Sequence, residues 1–318
     1  MVVKNAFKLA LKPKCGPVHI NLPRDVLATK KIFNKFAKHK KDKLPQASSK
    51  DLLKVIKFIK NSSKLVIIAG GGVKNSNTHK KIIFLAKKIN SPIVSSAGHG
   101  DNIRYDQVLY AGQMGPRGNK VASKLVKNAD LILAIGTRLG FNSTFFSYDN
   151  INKFAKIIQV DIERISLGRY FPVTLALHSD AKFFINQLCK KLSAYKHFNK
   201  TKIWVENFKE EKKLYLIQRD KDAKINNHPI HPNAIFKILR ETLPSNTLIT
   251  LDAGTLCLQA TDMLNYSKAP SFFTPLDFGL VGFSFACGLG VKLANPKKPV
   301  VSLMGDGGFG MTISELST

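Results

Sequence analysis

The chain has 318 residues, of which 44% are apolar, so it can bury cores for about two average domains. Its formal net charge of +29 comes from lysines spread almost evenly along the chain. Because nucleic-acid-binding proteins cluster their basic residues, this pattern argues against that class, and the lack of any run of eighteen apolar residues argues against a membrane span.

Four cysteines lie far apart in the sequence, without a CxxC pair. This arrangement disfavours a zinc site or a disulfide framework and predicts a reducing, cytoplasmic location.

The first segment, residues 1–28, contains one short apolar run. Residues 16–27 read GPVHINLPRDVL, in which VHINL predicts a buried strand that places His19 in a core. A single strand cannot fold alone, so we expect it to complete a sheet whose other strands lie upstream. Residues 29–50 are basic and polar and predict a linker, with an exposed helix as the alternative for the first half.

Residues 51–195 alternate between amphipathic and apolar segments. The predicted strands are KLVIIAGGGV, SPIVSS, ADLILAIGTRL and AKIIQVDIE, and the predicted helices are DLLKVIKFIKNS, THKKIIFLAKKIN, GNKVASKLVKNA and SDAKFFINQLCKKL. This rhythm predicts an α/β domain, Rossmann-like, with a parallel sheet covered on both faces. Gly70-Gly71-Gly72 lacks the GxGxxG spacing of a dinucleotide site, so we interpret it as a turn.

Residues 196–229 predict a connecting helical segment packed on the surface, and they hold the single tryptophan, Trp204. Residues 230–318 begin a second α/β unit. HPNAIFKILRETLP and FGLVGFSFACGLGVKLA predict helices, and NTLITLDAGT predicts a strand that runs into a glycine turn. PVVSLMGDGGFGMTISELST predicts a strand, a glycine turn and a helix that opens near Met311.

The glycine turn after the last predicted strand, Gly305–Gly308, is a candidate anion site. Ligands of open α/β sheets bind at the carboxyl ends of strands, and a helix N-terminus offers unpaired N–H groups to phosphate oxygens. Asp306 adds an oxygen ligand of the kind that magnesium favours. Taken alone, Gly305-Asp306-Gly307 fits a plain tight turn with an Asx hydrogen bond equally well.

Two further glycine-bearing elements make the pattern more specific. LITLDAGT ends in an acid and a glycine turn, and it is expected to lie beside the first turn and present Gly254 and Thr255 to the same anion. The glycines at 279, 282, 288 and 290 predict a strained turn followed by close helix packing.

Together these elements resemble the thiamine-diphosphate enzymes, specifically the acetolactate-synthase-like family, over nearly the whole chain. Residues 1–28 are similar to the end of the family's pyrimidine-binding domain, residues 51–195 to its central domain, and residues 230–318 to the first part of its diphosphate-binding domain. The resemblance implies thiamine diphosphate and Mg²⁺ as cofactors and the transfer of a two-carbon unit from a 2-oxo acid such as pyruvate. It also implies a small-molecule substrate and a homodimer or homotetramer with the site between subunits.

The resemblance assigns site residues one by one. It makes Asp306 the magnesium ligand, and it gives Gly279 and Val281 backbone hydrogen bonds to the aminopyrimidine ring. Val281 would also be the apolar wedge that bends the cofactor, a position that usually carries a larger residue in the family. The diphosphate would be contacted by Gly254, Thr255, Leu256, Gly305, Gly307 and Gly308. No catalytic residue falls within this chain: the activating glutamate is expected upstream and a metal-binding asparagine beyond Thr318, so the chain alone is expected to be inactive.

Two alternative functions stay open, and the sequence also bears on whether FAD is a cofactor. In flavin-containing acetolactate synthases this strand is followed by an acidic pair and an arginine. GTRLGFNSTFFSYDN lacks that acidic pair, which argues against FAD. The same segment and SFFTPLDFG are similar to sulfoacetaldehyde acetyltransferases, so a transfer of acetyl to phosphate is the second candidate. A noncatalytic nucleotide- or nucleic-acid-binding protein on the same α/β frame is the third, since a fold does not fix a function.

Three polar residues follow predicted strands: His99, Arg104 and Arg117. We interpret each of them as an exposed loop residue, with contact to a substrate or nucleotide as the alternative.

Overall fold

The computed structural model describes residues 2–30, 43–195, 198–223, 228–267 and 269–318. They form one six-stranded and one three-stranded sheet, and every strand pair in both is parallel, with helices between the strands. This confirms the predicted α/β class. No helix within the described ranges is long and apolar enough to span a membrane.

The helices and strands follow in chain order. The helices are α1 (Val2–Ala10), α2 (Arg24–Ala28), α3 (Ser49–Asn61), α4 (Gly71–Asn75), α5 (His79–Ile89), α6 (Lys120–Asn128), α7 (Phe141–Thr144), α8 (Ala181–Leu192), α9 (Lys202–Asp222), α10 (Pro232–Thr242), α11 (Thr255–Met263), α12 (Phe283–Ala294) and α13 (Asp306–Thr312). The strands are β1 (Leu65–Ala69), β2 (Ile93–Ser95), β3 (Tyr110–Gln113), β4 (Leu131–Ile135), β5 (Lys156–Asp161), β6 (Leu175–His178), β7 (Leu248–Leu251), β8 (Phe272–Phe273) and β9 (Val300–Leu303).

The six-stranded sheet has the order β3-β2-β1-β4-β5-β6, the order of the doubly wound dinucleotide-binding fold. Its two central strands, β1 and β4, are buried along their whole length, which explains why both are continuous apolar runs. The chain changes winding direction between them, and a crevice forms at their carboxyl ends, as the topology requires.

Helices cover both faces of this sheet. Val55 of α3, Leu85 of α5 and Phe184 of α8 belong to the buried cluster on one face. The cluster on the other face includes Phe208 of α9, and partly buried Trp204 packs against it. The indole Nε1 of Trp204 donates to the backbone oxygen of Leu65 at 3.0 Å. The connecting helix therefore packs on the central sheet.

The three-stranded sheet has the order β8-β7-β9, with Leu248 of β7 paired to Val300 of β9. Helix α12 packs against this sheet so closely that a Cβ atom on Gly288 would lie 2.1 Å from Ser302 Oγ. Gly290 of the same helix has open space around it, so the predicted close packing holds for Gly288 and not for Gly290.

Two sequence predictions about local structure are wrong: the strand at VHINL with its buried His19, and the starting point of the last helix. VHINL forms no strand: residues 15–23 are irregular and His19 is exposed, because none of the described residues supplies a neighbouring strand to pair with it. The last helix begins at Asp306 rather than near Met311, since the glycine run itself takes helical geometry. In the predicted linker, residues 43–48 are irregular, and residues 31–42 lie outside the described part of the chain.

Candidate functional site

The candidate site lies at the carboxyl edge of the small sheet. Because β7 and β9 are adjacent and parallel, the turns that follow them lie side by side. Gly254 precedes α11 with a φ of 147°, and Gly305 precedes α13. The structure thus brings the first two glycine-bearing elements together, each at the start of a helix.

Asp306 is the first residue of α13 and its side chain is exposed. Its Oδ1 accepts a hydrogen bond from the N–H of the next residue, Gly307, at 2.8 Å. Oδ2 accepts no hydrogen bond from the described residues. Within those residues no group of three or more His, Cys, Asp or Glu side chains is placed to hold a metal. At this turn, Asp306 is the exposed acidic side chain that could bind a cation.

Asp252 joins the third element to the other two, a role that the sequence analysis did not assign. It is 3% exposed and follows β7 directly. Both carboxylate oxygens accept from the Gly282 N–H at 3.0 Å, and Oδ1 also accepts from the Ala253 N–H at 2.7 Å. A Cβ atom on Gly308 would lie 2.6 Å from Oδ2. The sequence offered one indication of this role, because Asp252 is an acid at the carboxyl end of a predicted strand. The sequence analysis interpreted it only as part of the glycine turn.

The segment before α12 contains the residues expected at the aminopyrimidine ring. Gly279 has a φ of 71° and Gly282 a φ of 86°, left-handed values that favour glycine at both positions. Val281, between them, is 44% exposed, and Phe278 is 88% exposed. The predicted strained turn is confirmed, and it presents apolar side chains to open space.

These turns leave room beside the backbone where a cofactor would need it. A Cβ atom built on Gly254, Gly279, Gly305 or Gly307 meets no atom within 4 Å. Thr255 and Leu256 form the first turn of α11, where backbone N–H groups lack partners within the helix. The residues present therefore fit an anionic group with a cation at Asp306.

A second concave region, a cleft of about 560 Å³, lies at the carboxyl ends of β1 and β4. Gly70 and Gly72 are required here by packing, because a Cβ atom on either would lie within 2.6 Å of the Gly136 backbone. The cleft is tied to the segment before α12: Arg138 Nη2 lies 3.0 Å from Asp277 Oδ2, and Asn142 Nδ2 donates to the Leu276 oxygen at 2.8 Å.

His99 lines this cleft and is partly buried, which corrects its interpretation as an exposed residue. Its Nδ1 is buried without a hydrogen-bond partner among the described residues. Burial and the neighbouring Lys74 ammonium hold the pKa of His99 below its usual value. Arg104 and Arg117 are exposed, as the sequence predicts.

Comparison with known proteins gives two domain matches. The family model described as "Thiamine pyrophosphate enzyme, central domain" matches residues 52–188. The model described as "Thiamine pyrophosphate enzyme, C-terminal TPP binding domain" matches residues 252–318.

Individual curated proteins are about 30% identical to this chain. A probable acetolactate synthase large subunit from Methanocaldococcus jannaschii is 32% identical over 98% of this chain and 54% of its own length. A sulfoacetaldehyde acetyltransferase from Castellaniella defragrans is 29% identical over 96% of this chain and 54% of its own length. The acetolactate synthase large subunit of Buchnera aphidicola subsp. Acyrthosiphon pisum is 29% identical over all of this chain and 56% of its own length. The chain spans about half the length of the curated relatives that it matches.

Proposed function

Since this chain belongs to the thiamine pyrophosphate enzymes, whose two domain models together match well over half of it, we propose an acetolactate synthase-like activity that depends on thiamine diphosphate and Mg²⁺. In this proposal the whole protein takes a two-carbon unit from a 2-oxo acid, with pyruvate first, and transfers it to a small-molecule acceptor. The observation that carries the proposal is the placement of two glycine turns and Asp306 at one edge of the β7–β9 pair.

The residues at that edge would divide the binding between them. The N–H groups of Gly305, Gly307 and Gly308 and the first turn of α11, with Gly254, Thr255 and Leu256, would hold the diphosphate. The Asp306 carboxylate would hold Mg²⁺, which bridges readily between carboxylate and phosphate oxygens.

Gly279 and Val281 would bind the aminopyrimidine ring through their backbone, with the Val281 side chain as the apolar support beneath the bend. Thiamine diphosphate supplies a carbon nucleophile and an electron sink when it is bound. The chain's own part would be to fix the cofactor's orientation, which would hold its reacting groups in position. Asp252 supports this arrangement, because it holds Gly282 against the two phosphate-facing turns.

The second candidate is transfer of an acetyl group to phosphate. It is supported by the similarity to the Castellaniella defragrans sulfoacetaldehyde acetyltransferase, which matches this chain about as well as the acetolactate synthases do. FAD is disfavoured in both candidates, because residues 136–150 lack the acidic pair that follows this strand in flavin-containing acetolactate synthases. We also propose that the protein works in the cytoplasm as a homodimer or homotetramer with sites between subunits.

The cofactor proposal is tested by binding. Thiamine diphosphate is titrated into the chain by calorimetry, with Mg²⁺ and with a chelator. We expect binding that requires Mg²⁺ and falls at least about tenfold in Asp306→Asn, since a neutral amide is a poorer cation ligand. Asp149→Asn, an exposed acid in the central domain, serves as the control and should bind as the unchanged chain does. Equal binding by both variants would contradict the role of Asp306.

The two activities are separated by product. The complete reading frame is expressed and supplied with pyruvate or with sulfoacetaldehyde and phosphate. Acetolactate from pyruvate supports the first candidate, and acetyl phosphate from sulfoacetaldehyde supports the second. If the protein binds the cofactor but forms neither product, both candidate activities are contradicted and the cofactor-binding proposal is unaffected.

A further inference from the structure

A cavity of about 330 Å³ lies away from both regions described above. It forms where the edge strand β3, the connecting helix α9 and helix α11 meet, so the central and C-terminal units and the helix between them all contribute walls. Its volume is within the range of small-molecule sites.

Aromatic rings make up much of the wall: Tyr105, Tyr110, Tyr215 and Tyr266 all line the cavity, which we call the tyrosine cavity. The hydroxyl groups of the three more buried rings are already used. Tyr110 donates to Ser95 Oγ at 3.1 Å, and Tyr266 donates to the Ala260 oxygen at 2.8 Å. Tyr215 donates to Asp262. These three tyrosines therefore offer ring surface rather than hydroxyl groups, and a matching ligand has a flat, apolar body.

Two cations also line the tyrosine cavity. Lys212 and Arg219 stand seven residues apart on α9, which places them on one face of the helix, two turns apart. The Lys212 ammonium donates to the Gln107 oxygen at 3.1 Å, and no carboxylate of a described residue lies within 4.0 Å of it. Arg219 is 13% exposed and makes one long contact, from Nε to Asp220 Oδ1 at 3.4 Å. Both cations are thus partly desolvated and incompletely neutralised.

Two acids line the cavity, Asp106 and Asp262, and both are engaged with other groups. Asp106 is paired with Arg104 at the surface. Asp262 accepts hydrogen bonds from Tyr215 and, at 2.7 Å, from Asn119 Nδ2, so both of its oxygens are engaged. Burial raises the pKa of Asp262, against the effect of these two hydrogen bonds. Partly buried cations gain more from an anion than exposed ones do, because less water competes for them.

We propose that the tyrosine cavity is a binding site for a small organic anion, a carboxylate carried on a single flat apolar ring. Lys212 and Arg219 hold the carboxylate, and the tyrosine rings cover the body of the molecule. The site is independent of the proposed thiamine diphosphate site, so a failure of one proposal does not contradict the other.

The test uses three probes on the full 318-residue chain. 4-Hydroxybenzoate carries both the ring and the charge, 4-hydroxybenzyl alcohol carries the ring alone, and acetate carries the charge alone. Calorimetry is run at about 0.15 M salt, where contacts between exposed charges are largely screened. We expect saturable one-to-one binding of 4-hydroxybenzoate, at least about tenfold tighter than either of the other probes.

Substitutions then locate the site. Lys212→Met and Arg219→Met should each weaken 4-hydroxybenzoate binding at least about tenfold, whereas Lys213→Met, which removes an exposed lysine next to Lys212, should leave it unchanged. Tyr105→Ala removes a half-exposed ring and provides a variant that leaves the core intact. Circular dichroism confirms that each variant is folded.

The proposal is overturned if 4-hydroxybenzoate shows no saturable binding or binds no more tightly than acetate. The same holds if Lys213→Met costs as much affinity as Lys212→Met, since the binding would then reflect the chain's high positive charge. Folded Arg219→Met and Tyr105→Ala variants that bind as well as the unchanged chain would also overturn it.

Discussion

Asp252 shows how one buried carboxylate can organise a site without touching a ligand. Its three hydrogen bonds to the N–H groups of Gly282 and Ala253 hold the segment before α12 against the end of β7. Because Gly308 has no side chain, the turn after β9 closes over the same carboxylate. The positions of all three glycine-bearing turns therefore depend on this residue.

Replacing Asp252 by asparagine tests that dependence. The amide keeps one acceptor but turns a donor toward N–H groups, so at least one charge-assisted hydrogen bond is lost. We expect Asp252→Asn to lower the free energy of unfolding by about 1–3 kcal/mol. Urea denaturation measures the change, with the exposed Glu206→Gln on α9 as the matched control. A variant as stable as the control would show that the carboxylate is not holding the turns.

Asp262 makes a prediction about pH. Burial raises its pKa above the ordinary value of 3.8, against the effect of hydrogen bonds from Tyr215 and Asn119. The folded chain then binds a proton at this site more tightly than the unfolded chain, so the stability that Asp262 contributes is greatest at low pH. It is lost as the pH rises from 3.8 through the pKa of the folded state.

The Asp262→Asn variant cannot titrate at this site. We expect the stability difference, wild type minus variant, to decrease as the pH rises through that window and then to level off. Urea midpoints of both proteins, measured at steps between about pH 4 and pH 8, give the difference. A difference that stays constant or increases with pH would contradict the raised pKa.

At the scale of elements, α12 contains a matched pair of glycines. A Cβ atom on Gly288 would meet Ser302 Oγ at 2.1 Å, whereas one on Gly290 would meet nothing within 4 Å. Gly288→Ala should lower the free energy of unfolding by about 1–3 kcal/mol through overpacking against β9. Gly290→Ala should raise it by up to about 1 kcal/mol, because alanine is the better helix former.

Urea denaturation of the two alanine variants measures both values. The same sign of change in both variants would mean that α12 does not sit on the sheet as closely as the structure shows.

Elements with strong periodicity or a continuous apolar run were predictable from the sequence, and several others were not. Strands β1 and β4 are uninterrupted apolar runs, and α5 and α6 carry a clear helical spacing, so all four were predicted at nearly their observed positions. The sequence analysis did not predict β3, β6, β8 or α11. Strand β8 has two residues and is defined by its pairing with Ile249 and Thr250 rather than by any pattern of its own.

At VHINL the sequence predicts a strand that the structure does not contain. Its apolar alternation satisfies the local criterion for a strand, but pairing requires a neighbour, and none is present among the described residues. The glycine turns were found because their chemistry is local in sequence. Asp252 was missed because Gly282 and Gly308 lie 30 and 56 residues away from it in the chain.

At the scale of the whole molecule, a buried ion pair connects the two α/β units. The Asp101 side chain is fully buried; it accepts from Lys74 Nζ at 3.0 Å and from the N–H groups of Ser271 and Phe272 at 3.0 and 3.3 Å. Lys74 also donates to the Phe272 oxygen at 3.0 Å. Strand β8 of the small sheet is thereby attached to the central unit.

Removing Asp101 should weaken that attachment. Asp101→Ala leaves the 19%-exposed Lys74 ammonium without its partner. We therefore expect the free energy of unfolding to fall by about 3–5 kcal/mol. Asp106→Ala breaks the exposed pair with Arg104 and should cost less than about 1 kcal/mol. Scanning calorimetry compares the two, and similar midpoint temperatures would show that the buried pair does not hold the units together.

The pairing of β7 with β9 also has a consequence for the time at which the site can form. Leu251 ends the first of these strands and Val300 begins the second, so the two turns are separated by roughly fifty residues of chain that must be synthesised in between. At a translation rate of about 5–20 residues per second, that interval is on the order of several seconds. A nascent chain that stops short of Val300 has one turn and no Asp306, so the proposed diphosphate site is incomplete in it. Under the proposed function, the cofactor can therefore bind at this edge only after Asp306 has been synthesised.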